Sequence, residues 1–122
     1  MGGYKIRDQS KVHFLTFTIV DWINLFTRQV YKDLIVENLN YCIQQKGLSV
    51  FAYVIMSNHI HLIIQSQDNN LSNIIRDFKK FTSKAIVKLV KSNQESRRVW
   101  LLELLRKPSD TNDQKEKYQV WQ

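Results

Sequence analysis

The sequence predicts an α+β fold, a ferredoxin-like βαββα sandwich whose antiparallel sheet carries two helices on one face. Three observations lead there. Three short stretches rich in β-branched and aromatic residues read as strands. Two longer stretches repeat apolar residues at intervals of three and four and read as helices. Their order is strand, helix, strand, strand, helix, and such an order leaves the second face of the sheet open to a ligand. With 122 residues and 43% hydrophobic composition, the chain has the size of one domain and can bury a core without disulfides or a structural metal.

The first strand spans Val12 to Asp21. Val12, Phe14, Thr16, Thr18 and Val20 alternate with His13, Leu15, Phe17 and Ile19. Both sets are largely apolar or β-branched, which predicts a central strand. Asp21 to Phe26 is a connection. The first helix covers Thr27 to Lys46, with Tyr31, Leu34, Ile35, Leu39 and Cys42 on its buried stripe, and Gly47 ends it. Leu48 to Met56 and His59 to Ser66 form a hairpin about the polar break Ser57-Asn58, with Tyr53 expected in the core. After a loop, Asn70 is the expected N-cap of the helix Leu71 to Lys91, the most regular amphipathic stretch in the chain. Ser96 to Lys107 predicts a short helix. Pro108 to Lys117 is polar and charged and predicts a mobile segment, and Tyr118 to Gln122 begins another ordered stretch. The domain reading is therefore 1–107 for the folded unit, followed by 108–122.

Composition narrows the function classes. A single cysteine, Cys42, excludes an intramolecular disulfide framework, suits a reducing compartment and predicts a buried thiol. Met1 to Ser10 shows no apolar signal-like core, and no apolar run reaches the ~18 residues needed to span a membrane. A cytoplasmic protein without a membrane partner is expected. The formal net charge of +7 favours a polyanionic partner. The charge is concentrated: Arg76, Lys79, Lys80, Lys84, Lys88 and Lys91 share the second helix with one acid, Asp77. Arg76, Lys80, Lys84 and Lys88 recur every four residues, a stripe suited to a phosphate backbone. Arg97, Arg98, Arg106 and Lys107 form a second cluster. Trp22, Trp100 and Trp121 could stack on unpaired bases, although packing is the expected role of each.

His59-Ile60-His61 carries the chemistry. Side chains alternate along a strand, so the two imidazoles share one face while Ile60 enters the other layer. Two imidazoles so placed can hold a divalent cation. The flanks, Met56-Ser57-Asn58-His59-Ile60-His61, make the pair specific. From Tyr53 to Gln65 the chain resembles the HUH region of single-tyrosine transposases, most of all the branch associated with repetitive palindromic sequences. The usual pattern there is Met-Pro-Asn-His-hydrophobic-His. Ser57 stands in the proline position, a change to turn rigidity that leaves both histidines in place. The resemblance extends over Lys11 to Asp21, Tyr31 to Gly47, Leu71 to Ala85 and Tyr118 to Gln122.

The resemblance implies an HUH endonuclease-like fold and a partner that is single-stranded or hairpin DNA. It implies a divalent cofactor, Mg or Mn, on His59 and His61, and a tyrosine nucleophile that forms a 5′-phosphotyrosine link and frees a 3′-OH. It assigns the two histidines as catalytic and metal residues. Arg76, Lys79, Lys80, Lys84 and Lys88 are the expected DNA contacts. The sequence departs from the family after Gln122's neighbourhood: the tract resembling Asp-Tyr-Ile-x-x-Asn-Pro, which bears the nucleophile, and the third metal ligand about one turn beyond it, have no counterpart here. Tyr118 sits in a context matching the region before the nucleophile. The expectation is a catalytically incomplete chain that grips DNA without cutting it. Two alternatives stand beside this one: a non-catalytic ferredoxin-like module for single-stranded nucleic acid, and a relative of replication initiators and relaxases. A homodimer through an unfinished sheet edge is also open.

Overall fold

The computed structural model describes residues 6–92, 94–107 and 117–122. Strand β1 (His13–Thr18) is followed by helix α1 (Gln29–Gln45), strands β2 (Leu48–Ile55) and β3 (His59–Ser66), helix α2 (Leu71–Lys91) and a short helix α3 (Arg98–Leu105). A two-residue ladder, β4 (Arg106–Lys107) with β5 (Lys117–Tyr118), follows. The fold is α+β with an antiparallel sheet, as the sequence predicts, and its strand order is β1-β3-β2. The segment Pro108 to Glu116, most of the expected mobile stretch, lies outside the described residues, as does Tyr4.

Strand β3, not β1, is the central strand. Its residues alternate regularly: Ile60, Leu62, Ile64 and Ser66 are buried toward the helices, while His59, His61, Ile63 and Gln65 stand on the other face. Strand β1 contributes Leu15 and Phe17 to the core, but Phe14 on its other face is exposed, so the double apolar alternation is not burial on both sides. Strand β2 lies at the sheet edge, beyond β3, and Tyr53 is half exposed there instead of in the core. A bulge between Val50 and Ala52 interrupts its register.

Both helices cover the face bearing Ile60 and Leu62. Helix α1 buries Tyr31, Leu34, Ile35, Leu39 and Cys42, the stripe its spacing predicts. Burial pushes the Cys42 thiol pKa up, consistent with an inert core residue. Gly47 follows α1 with φ +70°, and a Cβ there would stand 2.7 Å from Asp68 Oδ2. Helix α2 begins and ends where the sequence places it, yet Asn70 does not cap it with its side chain. Asn70 Oδ1 instead accepts from Ser66 Oγ, and the N-terminal segment supplies the cap: Ser72 N donates to Gln9 Oε1 at 2.7 Å. The expected helix from Ser96 to Lys107 is shorter because Arg106 turns to extended backbone and enters β4.

The last residues are part of the fold. Val20 N donates to the Val120 carbonyl and Gln122 N to the Thr18 carbonyl, so the chain runs antiparallel beside β1. Trp121 is 6% exposed and packs on Phe17, Phe26 and Phe78. Its Nε1 donates to Thr82 Oγ1 at 2.9 Å, which explains a fully buried threonine on α2. Val120 and Trp121 belong to the same buried cluster as the residues of the strands and helices.

Candidate metal centre and nucleic-acid faces

The open face of the sheet is built from register. Thr18 pairs with His59, Thr16 with His61 and Phe14 with Ile63 across β1 and β3. Val54 faces His61 from β2. The turn preceding His59 is held from outside: Phe26 N donates to the Ser57 carbonyl and Ile19 N to the Asn58 carbonyl, each at 2.9 Å. These bonds fix the turn at the position where the resembling proteins carry proline.

The imidazoles converge. His59 Nε2 and His61 Nε2 are 3.2 Å apart, with ring planes 76° to one another. Each remaining nitrogen has its own partner. His59 Nδ1 meets Asn58 Oδ1 at 2.8 Å, and His61 Nδ1 meets Thr16 Oγ1 at 2.9 Å. Asn58 is oriented by a second bond, since its Nδ2 donates to the Trp22 carbonyl at 3.3 Å. An amide fixed this way presents its oxygen to His59, so His59 carries its proton on Nδ1 and turns a lone pair inward at Nε2. Thr16 can donate to or accept from His61, which lets His61 adopt either tautomer. Two nitrogens bound to one cation at ~2.0–2.1 Å in adjacent positions would be separated by roughly 3.0–3.4 Å, the spacing seen here. The pair and its two outer partners thus fit a divalent cation. Among the described residues, no three His, Cys, Asp or Glu side chains gather into a fuller ligand set.

Aromatic rings flank the centre on two sides. Trp22 meets His59 edge-on at 6.4 Å, and Phe14 stacks on His61 at 5.5 Å with 22° between planes. Trp22 is 61% exposed and Trp100 is also largely exposed, so packing is not the role of either. Only Trp121 of the three tryptophans packs in the core as expected. Thr16 and Asn58 escaped sequence reasoning as functional residues, because strand register brings Thr16 to His61 and register is not visible in either strand alone.

The basic residues lie elsewhere. Lys80, Lys84 and Lys88 rim a groove of about 550 Å3 between α1 and α2, floored by Cys42, Phe78 and Ala85. That groove opens away from the sheet, across the molecule from the histidines. Arg76 continues the stripe and pairs with Asp77 at 3.3 Å. Lys79 projects to the other flank, 4.6 Å above the Phe17 ring beside Trp121, and burial lowers its pKa. Arg97 is half-buried: it binds Glu95 at 3.1 Å and donates to the Asn24 carbonyl. Arg106 and Lys107 are exposed on β4.

The described tyrosines stand apart from the open face. Tyr31 and Tyr41 are on α1, and Tyr53 points to the helix side, in register with Leu62. Tyr118 is on β5, its ring 5.0 Å from Lys91 Nζ. No helix among the described residues is long and apolar enough to cross a membrane.

No curated protein and no solved structure matches the chain. A family model does, over residues 7–103, which takes in the sheet, both long helices, the His59-His61 pair and most of α3. The model describes IS200-like transposases, and with four fifths of its residues matched this chain belongs to the IS200-like transposase family.

Proposed function

We propose that the chain binds single-stranded or hairpin DNA on its open sheet face, with a divalent cation, Mg or Mn, held by Nε2 of His59 and His61. The observation that carries this is the convergence of two imidazole nitrogens at 3.2 Å, each ring anchored through its other nitrogen. When bound, the cation would polarise a scissile phosphate and template its orientation. His59 and His61 would supply two of its ligands through Nε2. Asn58 and Thr16 hold the rings, and the basic stripe Arg76, Lys80, Lys84 and Lys88, with Lys79 on the adjoining flank, attracts the DNA backbone.

The class of reaction is metal-assisted strand cleavage and rejoining through a 5′-phosphotyrosine intermediate. In this chain the described tyrosines lie off the face that bears the histidines, which favours a second reading for the chain acting alone: a module that grips structured DNA without cutting it. Hairpin binding with and without Mn, for wild type and His59→Ala/His61→Ala, tests both readings. Mn-dependent, hairpin-selective binding that the double variant loses, with no covalent product, is expected. Indifference to metal, to hairpin structure and to both histidines would overturn the DNA-processing reading, and a covalent adduct on Tyr118 would overturn the non-cutting one.

A second copy is the remaining proposed partner. Strand β2 is an edge without a charged side chain, and Phe51, Tyr53 and Val54 are exposed along it. Such edges pair readily with another strand.

A further inference from the structure

We propose that Trp22 and Phe14 form a stacking clamp for unpaired nucleobases on either side of the phosphate presented to the histidine pair. This inference rests on the open sheet face being the DNA-binding face. Trp22 and Phe14 are 61% and 65% exposed, yet neither is a stray surface ring. Each touches a different histidine, so the pair sits between them in the order Trp22, His59, His61, Phe14.

The backbone is shaped to hold Trp22 there. Asp21 and Trp22 both have positive φ, 54° and 55°, in a turn without glycine. Left-handed backbone is unfavourable for a bulky residue, and two in succession persist only when surrounding contacts enforce them. The enforcing contacts are present: Trp22 N donates to the Ile19 carbonyl at 3.1 Å, and the Trp22 carbonyl accepts from Asn58 Nδ2. The same Asn58 amide anchors His59, so indole and metal ligand are positioned by one side chain. A turn whose only task was to connect β1 to α1 would gain nothing from strain that lifts an indole into solvent.

The chemistry of the rings identifies the occupant. They are uncharged faces beside a cation site, suited to bases and not to phosphates, and stacking tolerates any base. Paired bases in a stem offer no free faces, so the clamp would select unpaired nucleotides flanking a hairpin. It would thus discriminate between single-stranded flank and duplex stem, leaving phosphate attraction to the lysines.

The test uses the full chain with Mn and three hairpin oligonucleotides: one with single-stranded flanks, one with the same flanks made abasic, and one without flanks. Wild type should prefer the natural flanks by about tenfold or more, in line with the usual stacking contribution of a base. Trp22→Ala and Phe14→Ala should each remove most of that preference, and Trp22→Phe should retain part of it. Mn binding in both alanine variants, read by calorimetry, should stay close to wild type. Equal binding of natural and abasic flanks by wild type would overturn the clamp while leaving metal-dependent hairpin binding intact. Loss of all DNA binding by His59→Ala/His61→Ala together with unchanged binding in Trp22→Ala would do the same. Wild type that binds none of the three oligonucleotides would overturn the underlying reading, and a change in sedimentation of Trp22→Ala without a change in DNA preference would assign the rings to a copy–copy contact instead.

Discussion

Replacing Thr16 by valine keeps the β-branched shape and deletes only the hydroxyl that meets His61 Nδ1. Outer-shell partners of this kind commonly contribute about 10- to 100-fold in metal affinity. Thr16→Val should therefore weaken Mn binding by at least about tenfold with little change in melting temperature, and Thr16→Ser should restore it; calorimetric titration measures both. Glu95 provides a different residue-scale prediction. Its side chain is 4% exposed and receives Tyr31 OH at 2.6 Å and Arg97 Nε at 3.1 Å. Burial works to raise its pKa, but the Arg97 and Tyr31 hydrogen bonds outweigh that and hold the carboxyl at about 2, against 4.5 ordinarily. Burial and the bond to Glu95 raise the Tyr31 pKa in turn. A carboxyl depressed in the folded state stabilises fully above the unfolded pKa, and that contribution fades as pH falls from 4.5 toward 2. Glu95→Gln should cost on the order of 2 kcal/mol at pH 7 and make the melting temperature less sensitive to acid between those limits. Equal acid sensitivity in wild type and variant would remove Glu95 as the cause.

Among the elements, α2 and β3 were the most legible from the sequence, since strict periodicity fixes which face is buried. The facing of His59 and His61 follows from alternation alone. What alternation could not supply was neighbours. Tyr53 has the composition of a core residue, but β2 lies at an edge where the helices leave it half covered. Thr16 reads as one more β-branched residue until β1 pairs with β3. Trp22 reads as a packing residue because nothing local announces two positive φ angles in an Asp-Trp pair. Gln9 caps α2 from more than sixty positions away, a contact no local pattern contains. At this scale the link between α2 and the last residues can be broken in one step. Thr82→Val leaves the Trp121 Nε1–H without its partner in a buried site. Destabilisation of about 1–3 kcal/mol is expected in chemical denaturation, and Trp121→Phe in the same background should recover part of it. Full additivity of the two changes would mean that the hydrogen bond does not couple them.

For the molecule as a whole, the predictions concern charge and assembly. Reversing Lys80, Lys84 and Lys88 to glutamate should weaken hairpin binding and flatten its dependence on salt, without altering Mn binding at the histidines. An unchanged salt slope would take the stripe out of the interface. The β2 edge makes a separate prediction: if two copies join there, Val54→Lys should shift sedimentation toward the monomer, since a charge on an exposed edge opposes strand pairing.

The placement of the lysine groove and the histidine pair on opposite sides of the sheet has a geometric consequence for the nucleic acid. A strand touching both must travel around the protein, past at least one helix about 10 Å in diameter and the sheet beneath it. Short oligonucleotides can reach one side or the other. Longer ones gain the second set of contacts only once their contour exceeds that detour, when the second contact becomes intramolecular. Affinity plotted against oligonucleotide length should then rise in two steps, making the thickness of the domain a ruler for the DNA it retains.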